Sequence, residues 1–179
     1  MNPPLHSVGL FALVPGLLVG SLLGSARVAG AVSEAGLRPW ISMRFPGVAW
    51  ISTEDLSRWR AGEHAPPPVL LDARAAEEFE VSHLRDARRV DPDSPALDPE
   101  DLPHDTPIVV YCSVGYRSAA VADRLKAAGF TRVFNLEGGI FQWANEGRPI
   151  FRDREPAHEV HPYSRLWGRW LDSKLHPED

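Results

Sequence analysis

Ile108-Val109-Val110-Tyr111-Cys112-Ser113-Val114-Gly115-Tyr116-Arg117-Ser118 is the stretch on which the reading of this chain turns. Its first four residues are β-branched or aromatic, with no polar residue alternating among them. A strand of that kind is buried on both faces, as in the middle of a parallel sheet. From Ser118 to Ala128, the residues Val121, Ala122, Leu125 and Ala128 share one helical face, and Gly129 stands where a C-cap glycine belongs. The stretch therefore reads as strand, short loop and helix, with Cys112 at the carboxyl end of the strand. Ligands of parallel α/β sheets bind at that end.

Cys112 is the only cysteine of the 179 residues. One cysteine excludes an intramolecular disulfide, a cysteine-based zinc site and a Cys-x-x-Cys redox pair, and it leaves the redox compartment open. A free cysteine is most often a small buried hydrophobe. Its place before a helix argues for a reactive role instead. A helix N-terminus presents unpaired N–H groups and the positive end of a dipole, which favour the nucleophilic thiolate. Gly115 lets the loop curl so that amides converge on the sulfur. Arg117 adds fixed charge, and Ser118 can both cap the helix and donate to an anion.

Outward from this centre, the alternation of strands and helices continues. Ser52-Thr53-Glu54-Asp55 has capping-box spacing and opens a helix through Leu56 and Trp59 to about Ala61. Pro66-Pro67-Pro68 is a stiff connector. Val69-Leu70-Leu71 is a strand ending at Asp72, residues 75–81 are helical, and Val90 marks a short extended piece. Val133-Phe134 is a further strand, followed by a helix from about Gly139 to Asn145. The expected class is α/β, a small central and mainly parallel sheet flanked by helices. The composition, 44% hydrophobic and 24% charged, is that of a globular domain. A net charge of −5 with no Lys/Arg-rich run argues against a nucleic-acid partner.

Three segments resemble the rhodanese homology domain. Asp72-Ala73-Arg74, Glu78-Phe79 and His83-Leu84 are similar to that family's Asp-x-Arg…Glu-Phe-x-x-Gly-His-Ile segment. Cys112-Ser113-Val114-Gly115-Tyr116-Arg117-Ser118 resembles its Cys-x-x-Gly-x-Arg-Ser loop. Leu136-Glu137-Gly138-Gly139, with Trp143 four residues on, is similar to its closing Leu-x-Gly-Gly-x-x-x-Trp. Their order and spacing agree over residues 49–150. The chain departs from the pattern at Ser82, where the family usually has glycine, and at Arg85-Asp86, in place of Pro-Gly.

The resemblance implies a sulfurtransferase in which Cys112 accepts a sulfane sulfur from a donor such as thiosulfate. The persulfide would be bound by Ser113, Val114, Gly115, Tyr116, Arg117 and Ser118, with Arg74 as electrostatic support. A thiol, cyanide or a protein cysteine would be the acceptor, and no metal or organic cofactor is needed. Related phosphatases and arsenate reductases place Arg one position later, in a larger loop that suits a tetrahedral oxyanion. The competing readings are a non-catalytic module of the same fold, which would need no nucleophile, and a membrane-anchored scaffold.

The remaining motifs are weaker. Asp72, Arg74 and Glu78 read as a structural ion-pair network, His83 as a hydrogen-bonded structural histidine, and His158-x-x-His161 as half of a metal site without partners. From Gly9 to Gly24 every residue except Ser21 is apolar, glycine or proline, and Ala29-Gly30-Ala31 offers a cleavage pattern. Residues 1–31 thus read as an export signal or membrane anchor, favouring an exported or anchored location, although no Lys or Arg precedes the apolar run. A linker helix is expected within residues 32–48. The tail, residues 151–179, carries Tyr163, Leu166, Trp167, Trp170, Leu171 and Leu175 at helical spacing, and an amphipathic helix docking on the domain is expected from Pro162 to Leu175.

Overall fold

A computed structural model of the chain describes residues 37–93 and 102–178. The expected signal or anchor, with its apolar run at residues 9–24, lies outside the described residues. Among the described residues no helix is long and apolar enough to cross a membrane.

A first helix, α1 (residues 37–44), leads into β1 (Ala49–Ile51) and α2 (Thr53–Arg58), which continues as a wider turn over Trp59–Glu63. Ser52 caps α2 as the spacing predicted, its hydroxyl accepting from the Asp55 N–H at 3.0 Å. The order then runs β2 (Val69–Asp72), α3 (Ala76–Val81), β3 (Arg88–Arg89), β4 (Ile108–Tyr111), α4 (Tyr116–Ala127), β5 (Val133–Leu136) and α5 (Gly139–Asn145). All five strands pair in parallel in the order β1-β5-β4-β2-β3. The α/β expectation holds, and β4 is the central strand.

Period-two alternation along β4 divides the core. Val109 and Tyr111 pack with Leu56, Trp59, Leu136, Ile140 and Phe141 on one side of the sheet. Ile108 and Val110 pack with Ile41, Phe45, Val121, Ala122 and Leu125 on the other, and Cys112 continues that second series. Both faces of β4 are fully buried, which explains its unbroken apolar sequence.

The tail departs from the expected helix. Residues 150–157 form an antiparallel hairpin, β6 (Ile150–Arg152) and β7 (Glu155–Ala157), and of the expected stripe only Trp167, Trp170 and Leu175 sit on helical turns, the short 3₁₀ turns Trp167–Trp170 and Ser173–Leu175. A continuous helix is broken at Tyr163, with φ 63°, and again at Leu171, whose backbone is extended at ψ 136°. The tail nevertheless docks. Val160 and Leu171 are buried in the core, with Trp167, Trp170 and Leu175 packed against it. Asn145 of α5 fixes the turn by donating to the Trp170 carbonyl at 2.7 Å and accepting from the Asp172 N–H at 2.8 Å.

The departures at Ser82 and Arg85-Asp86 coincide with this docking. The Ser82 hydroxyl donates to the Glu159 carbonyl at 2.6 Å. His83 and Phe151 exchange backbone hydrogen bonds of 2.7 and 2.8 Å, and the Arg85 guanidinium lies 4.0 Å from the centre of the Phe151 ring. Asp86 takes the left-handed conformation (φ 62°), which Asp tolerates better than most side chains.

Candidate active site

Cys112 sits one residue past β4, at 1% exposure. The next turn is tight because Gly115, at φ 105°, caps α4 in the left-handed region. This brings the Gly115 N–H to 3.1 Å from the Cys112 sulfur. The Ser118 hydroxyl lies 3.5 Å from the same atom. Helix α4 begins at Tyr116 rather than at the expected Ser118, so Ser118 acts on the sulfur from within the first turn and is not the cap. The first N–H groups of a helix lack intrahelical partners, so those at the head of α4 are available, with the Gly115 N–H, to cradle a negatively charged sulfur.

The loop is clamped from the α5 side. Ile140 and Phe141 donate their N–H groups to the carbonyls of Cys112 and Ser113 at 2.9 and 3.1 Å. That approach requires Gly139, at φ 58°: a Cβ there would fall 2.3 Å from the Cys112 oxygen. Gly139 of the closing motif is thus a backbone contact surface for the sulfur loop, while Gly138 faces the Gln142 side chain. Asn135 of β5, which the sequence reading did not single out, donates to the Gly115 carbonyl at 2.8 Å from a fully buried position. Its signal was a lone polar residue within an apolar strand.

Arg117 is engaged elsewhere than the sequence implied. Its terminal nitrogens donate to both carboxylate oxygens of Glu78, at 2.6 and 2.8 Å, and to the Ser113 hydroxyl at 3.0 Å. Ser113 in turn donates to Glu78 at 2.9 Å. Burial alone would raise the Glu78 carboxyl. The hydrogen bonds and charge of Arg117, with the Ala75 N–H and Ser113 hydroxyl, outweigh it and hold Glu78 below its usual range. Arg117 is shifted upward: burial opposes its charge, and the hydrogen bonds and charge of Glu78, with the neighbouring Cys112 and Tyr163, more than compensate.

Asp72 and Arg74 pair with each other in full burial, with contacts of 2.9 and 2.6 Å, and Arg74 also donates to the Ser82 carbonyl at 2.6 Å. Glu78 belongs to the sulfur loop and not with this pair. Arg74, expected as support for the loop, does not reach the cavity wall. His83 stacks on Phe79 with ring centres 4.0 Å apart, and its Nδ1 lies 3.1 Å from the Phe79 carbonyl. Among the described residues no group of three or more His, Cys, Asp or Glu is placed to hold a metal ion.

Above the sulfur opens a cavity of about 280 Å³, lined by Trp40, Cys112, Ser113, Val114, Tyr116, Arg117, Tyr163 and Trp167. A model of the rhodanese-like domain matches residues 52–146. The chain belongs to the rhodanese-like domain family. A sulfurtransferase of Allochromatium vinosum is 34% identical over 82 residues, covering 46% of this chain and 77% of that protein. A solved rhodanese-related protein of Thermoplasma volcanium superimposes with a TM-score of 0.51 at 25% identity, over 59% of this chain and 99% of the other. A thiosulfate sulfurtransferase of Pseudomonas aeruginosa gives a TM-score of 0.51 at 28% identity, over 59% of this chain and 20% of the other. Trp40, Tyr163 and Trp167 lie outside the residues that the rhodanese-like model matches.

Proposed function

We propose that this rhodanese-like protein is a sulfurtransferase that carries sulfane sulfur on Cys112 between a small donor and a thiophilic acceptor. The observation that carries the reading is the Cys112 sulfur at the floor of a cavity, 3.1 Å from the Gly115 N–H at the head of α4. In the first half-reaction the Cys112 thiolate attacks the outer sulfur of the donor. With thiosulfate, the simplest donor, the S–S bond breaks, sulfite leaves with the electron pair, and a Cys112 persulfide remains. In the second half an acceptor nucleophile (cyanide, a small thiol or a protein cysteine) attacks the outer sulfur of that persulfide and releases the thiolate. This is covalent catalysis with ping-pong kinetics. Both halves are displacements at sulfur that use neither metal nor organic cofactor.

In this reading the Gly115 N–H and the free N–H groups of the first turn hold the outer sulfur. Ser118 donates to the inner one, and Val114 and Tyr116 exclude water from it. Ser113 and Arg117 keep the loop in shape through Glu78. The test is mass spectrometry of the purified chain after incubation with a sulfane-sulfur donor. Wild type should gain the mass of one sulfur and Cys112→Ser none. No adduct on wild type with any of several donors would turn the reading to a non-catalytic module of this fold.

A further inference from the structure

The walls of the Cys112 cavity come from three separated stretches: the sulfur loop, α1 and the tail. Trp40 of α1 stacks on Tyr116, with ring centres 5.1 Å apart and planes inclined by 23°. Tyr163 covers the Arg117 guanidinium at 4.7 Å from the ring centre. Tyr163 does so from φ 63°, a backbone conformation unusual for an aromatic residue, and its N–H donates to His161 Nδ1 at 3.0 Å. Strain of this kind persists only where the surroundings hold it. Trp167 completes the wall and is braced edge-on by Trp170 at 5.0 Å.

The electrostatics of this cavity are unusual for an anion site. Among the described residues, Arg117 is the one charged side chain that lines it. Three of its five N–H donors face Glu78 and Ser113, and its plane is covered by Tyr163. Its charge is balanced by the Glu78 carboxylate. Beyond the N–H cradle around the sulfur, Ser113 and Arg117 are turned to Glu78, and the rest of the lining is four aromatic rings and a valine. The cradle can accept the single charge of a terminal sulfur. The second charge of a sulfonate end would sit among the rings, unpaired, where an uncompensated charge is costly.

We propose that the donor is a sulfane-sulfur compound with an apolar, aryl-sized body and at most one negative charge, its body held between Trp40, Tyr163 and Trp167. The inference rests on the sulfurtransferase reading above. It adds that this chain selects the body of its donor with residues that lie outside the matched rhodanese-like region. The cavity is close to the lower end of the roughly 300–1,000 Å³ of small-molecule sites, which suits one ring better than an extended ligand. With an organic hydropersulfide, R–S–SH, the Cys112 thiolate attacks the outer sulfur, the S–S bond breaks, and R–S⁻ leaves as Cys112–S–SH forms. With a thiosulfonate, R–SO₂–S⁻, the same attack releases the sulfinate R–SO₂⁻ and leaves Cys112–S–S⁻. Neither step requires an external oxidant or reductant.

The test compares benzenethiosulfonate with methanethiosulfonate, donors of equal charge and reacting group, and with thiosulfate. The full chain is loaded with each and the rate of Cys112 persulfide formation is read by mass. The same is done for Tyr163→Ala and Trp40→Ala, both at positions about half exposed, so that loss of one variant to misfolding leaves the other. Dividing the benzene-to-methane ratio of kcat/KM in wild type by that in a variant cancels the intrinsic reactivity of the two probes. That quotient should be about tenfold for at least one variant, the scale on which apolar pockets discriminate. Thiosulfate should be the slowest donor for wild type. An unchanged ratio in both folded variants, or a wild type that prefers thiosulfate, would overturn the proposal while leaving sulfur transfer intact. Failure of every donor to load Cys112 would overturn the sulfurtransferase reading, and this inference with it.

Discussion

Arg117 grips Glu78 with both terminal nitrogens, at 2.6 and 2.8 Å, although the two residues stand 39 positions apart in the chain. Glu78 lies on α3 and Arg117 in the first turn of α4, so the pair ties the helix after β2 to the loop that holds the sulfur. The two ends are unequal. The Glu78 side chain is 1% exposed and that of Arg117 22%.

Removing Arg117 should therefore cost more than removing Glu78. Arg117→Ala strands a buried carboxylate, whereas Glu78→Ala leaves a guanidinium that water can reach. We expect Arg117→Ala to lose roughly 2–4 kcal/mol, somewhat below the range for a fully buried pair because Arg117 keeps some solvent contact. The double variant Glu78→Ala/Arg117→Ala should recover part of this. Urea unfolding of the two single variants and the double variant completes the cycle. Strict additivity would show that the pair does not act as a unit.

Acid should weaken the fold through the same carboxylate. Glu78 is held below its usual range when folded, so at moderately acid pH the unfolded chain binds more protons than the native one. The stabilisation is complete above the unfolded carboxyl value of about 4.3 and is lost as pH falls through the lower folded value. Melting temperature measured against pH should fall less steeply below that value in Glu78→Gln than in wild type. Parallel curves would remove Glu78 as a source of the pH dependence.

Gly139→Ala should damage the sulfur loop without touching any of its side chains. The added Cβ meets the Cys112 and Ser113 oxygens at 2.3 and 2.6 Å, and the residue's φ of 58° is itself unfavourable for alanine. A loss of roughly 1–3 kcal/mol is expected from the strain and overpacking. The rate of Cys112 alkylation should change as the Ile140 and Phe141 hydrogen bonds lengthen. A variant with wild-type stability and alkylation rate would show that the clamp is dispensable.

Ser82→Gly should loosen the tail. Loss of the 2.6 Å bond to the Glu159 carbonyl, together with the greater freedom of glycine in the unfolded chain, should cost about 1–2 kcal/mol. Limited proteolysis is expected to cut the segment after residue 157 faster than in wild type. An unchanged digestion pattern would mean that the aromatic contacts alone hold the tail.

The strand, loop and helix around Cys112 were legible because each obeys a local rule: a β4 buried on both faces, a glycine at the turn and an apolar helical stripe. Strand β1 was not. Its three residues run from exposed to buried, and Ala49 and Trp50 find their place only through pairing with Phe134 and Asn135 of β5. The aromatic spacing of the tail placed six residues on a docked face, of which four dock, and predicted a helix wrongly. Two 3₁₀ turns joined through Leu171 and Asp172 present Trp167, Trp170, Leu171 and Leu175 to the core, while Tyr163 and Leu166 stay exposed. Glu78 was grouped with Asp72 and Arg74 by sequence proximity, whereas its partner is set by how α3 and α4 meet at the loop. The side walls of the cavity were beyond reach for the same reason. Nothing local in the sequence says that residues 40, 163 and 167 meet over residue 112.

That distance along the chain divides labour between stretches that can vary separately. The floor, where the sulfur is held, comes from residues 112–118, and the side walls come from α1 and the tail. Substitutions at Trp40, Tyr163 or Trp167 can retune what enters the cavity while the nucleophile and its cradle stay as they are. Exchange of the tail between homologous chains would be the economical way to graft one protein's choice of substrate onto another's chemistry.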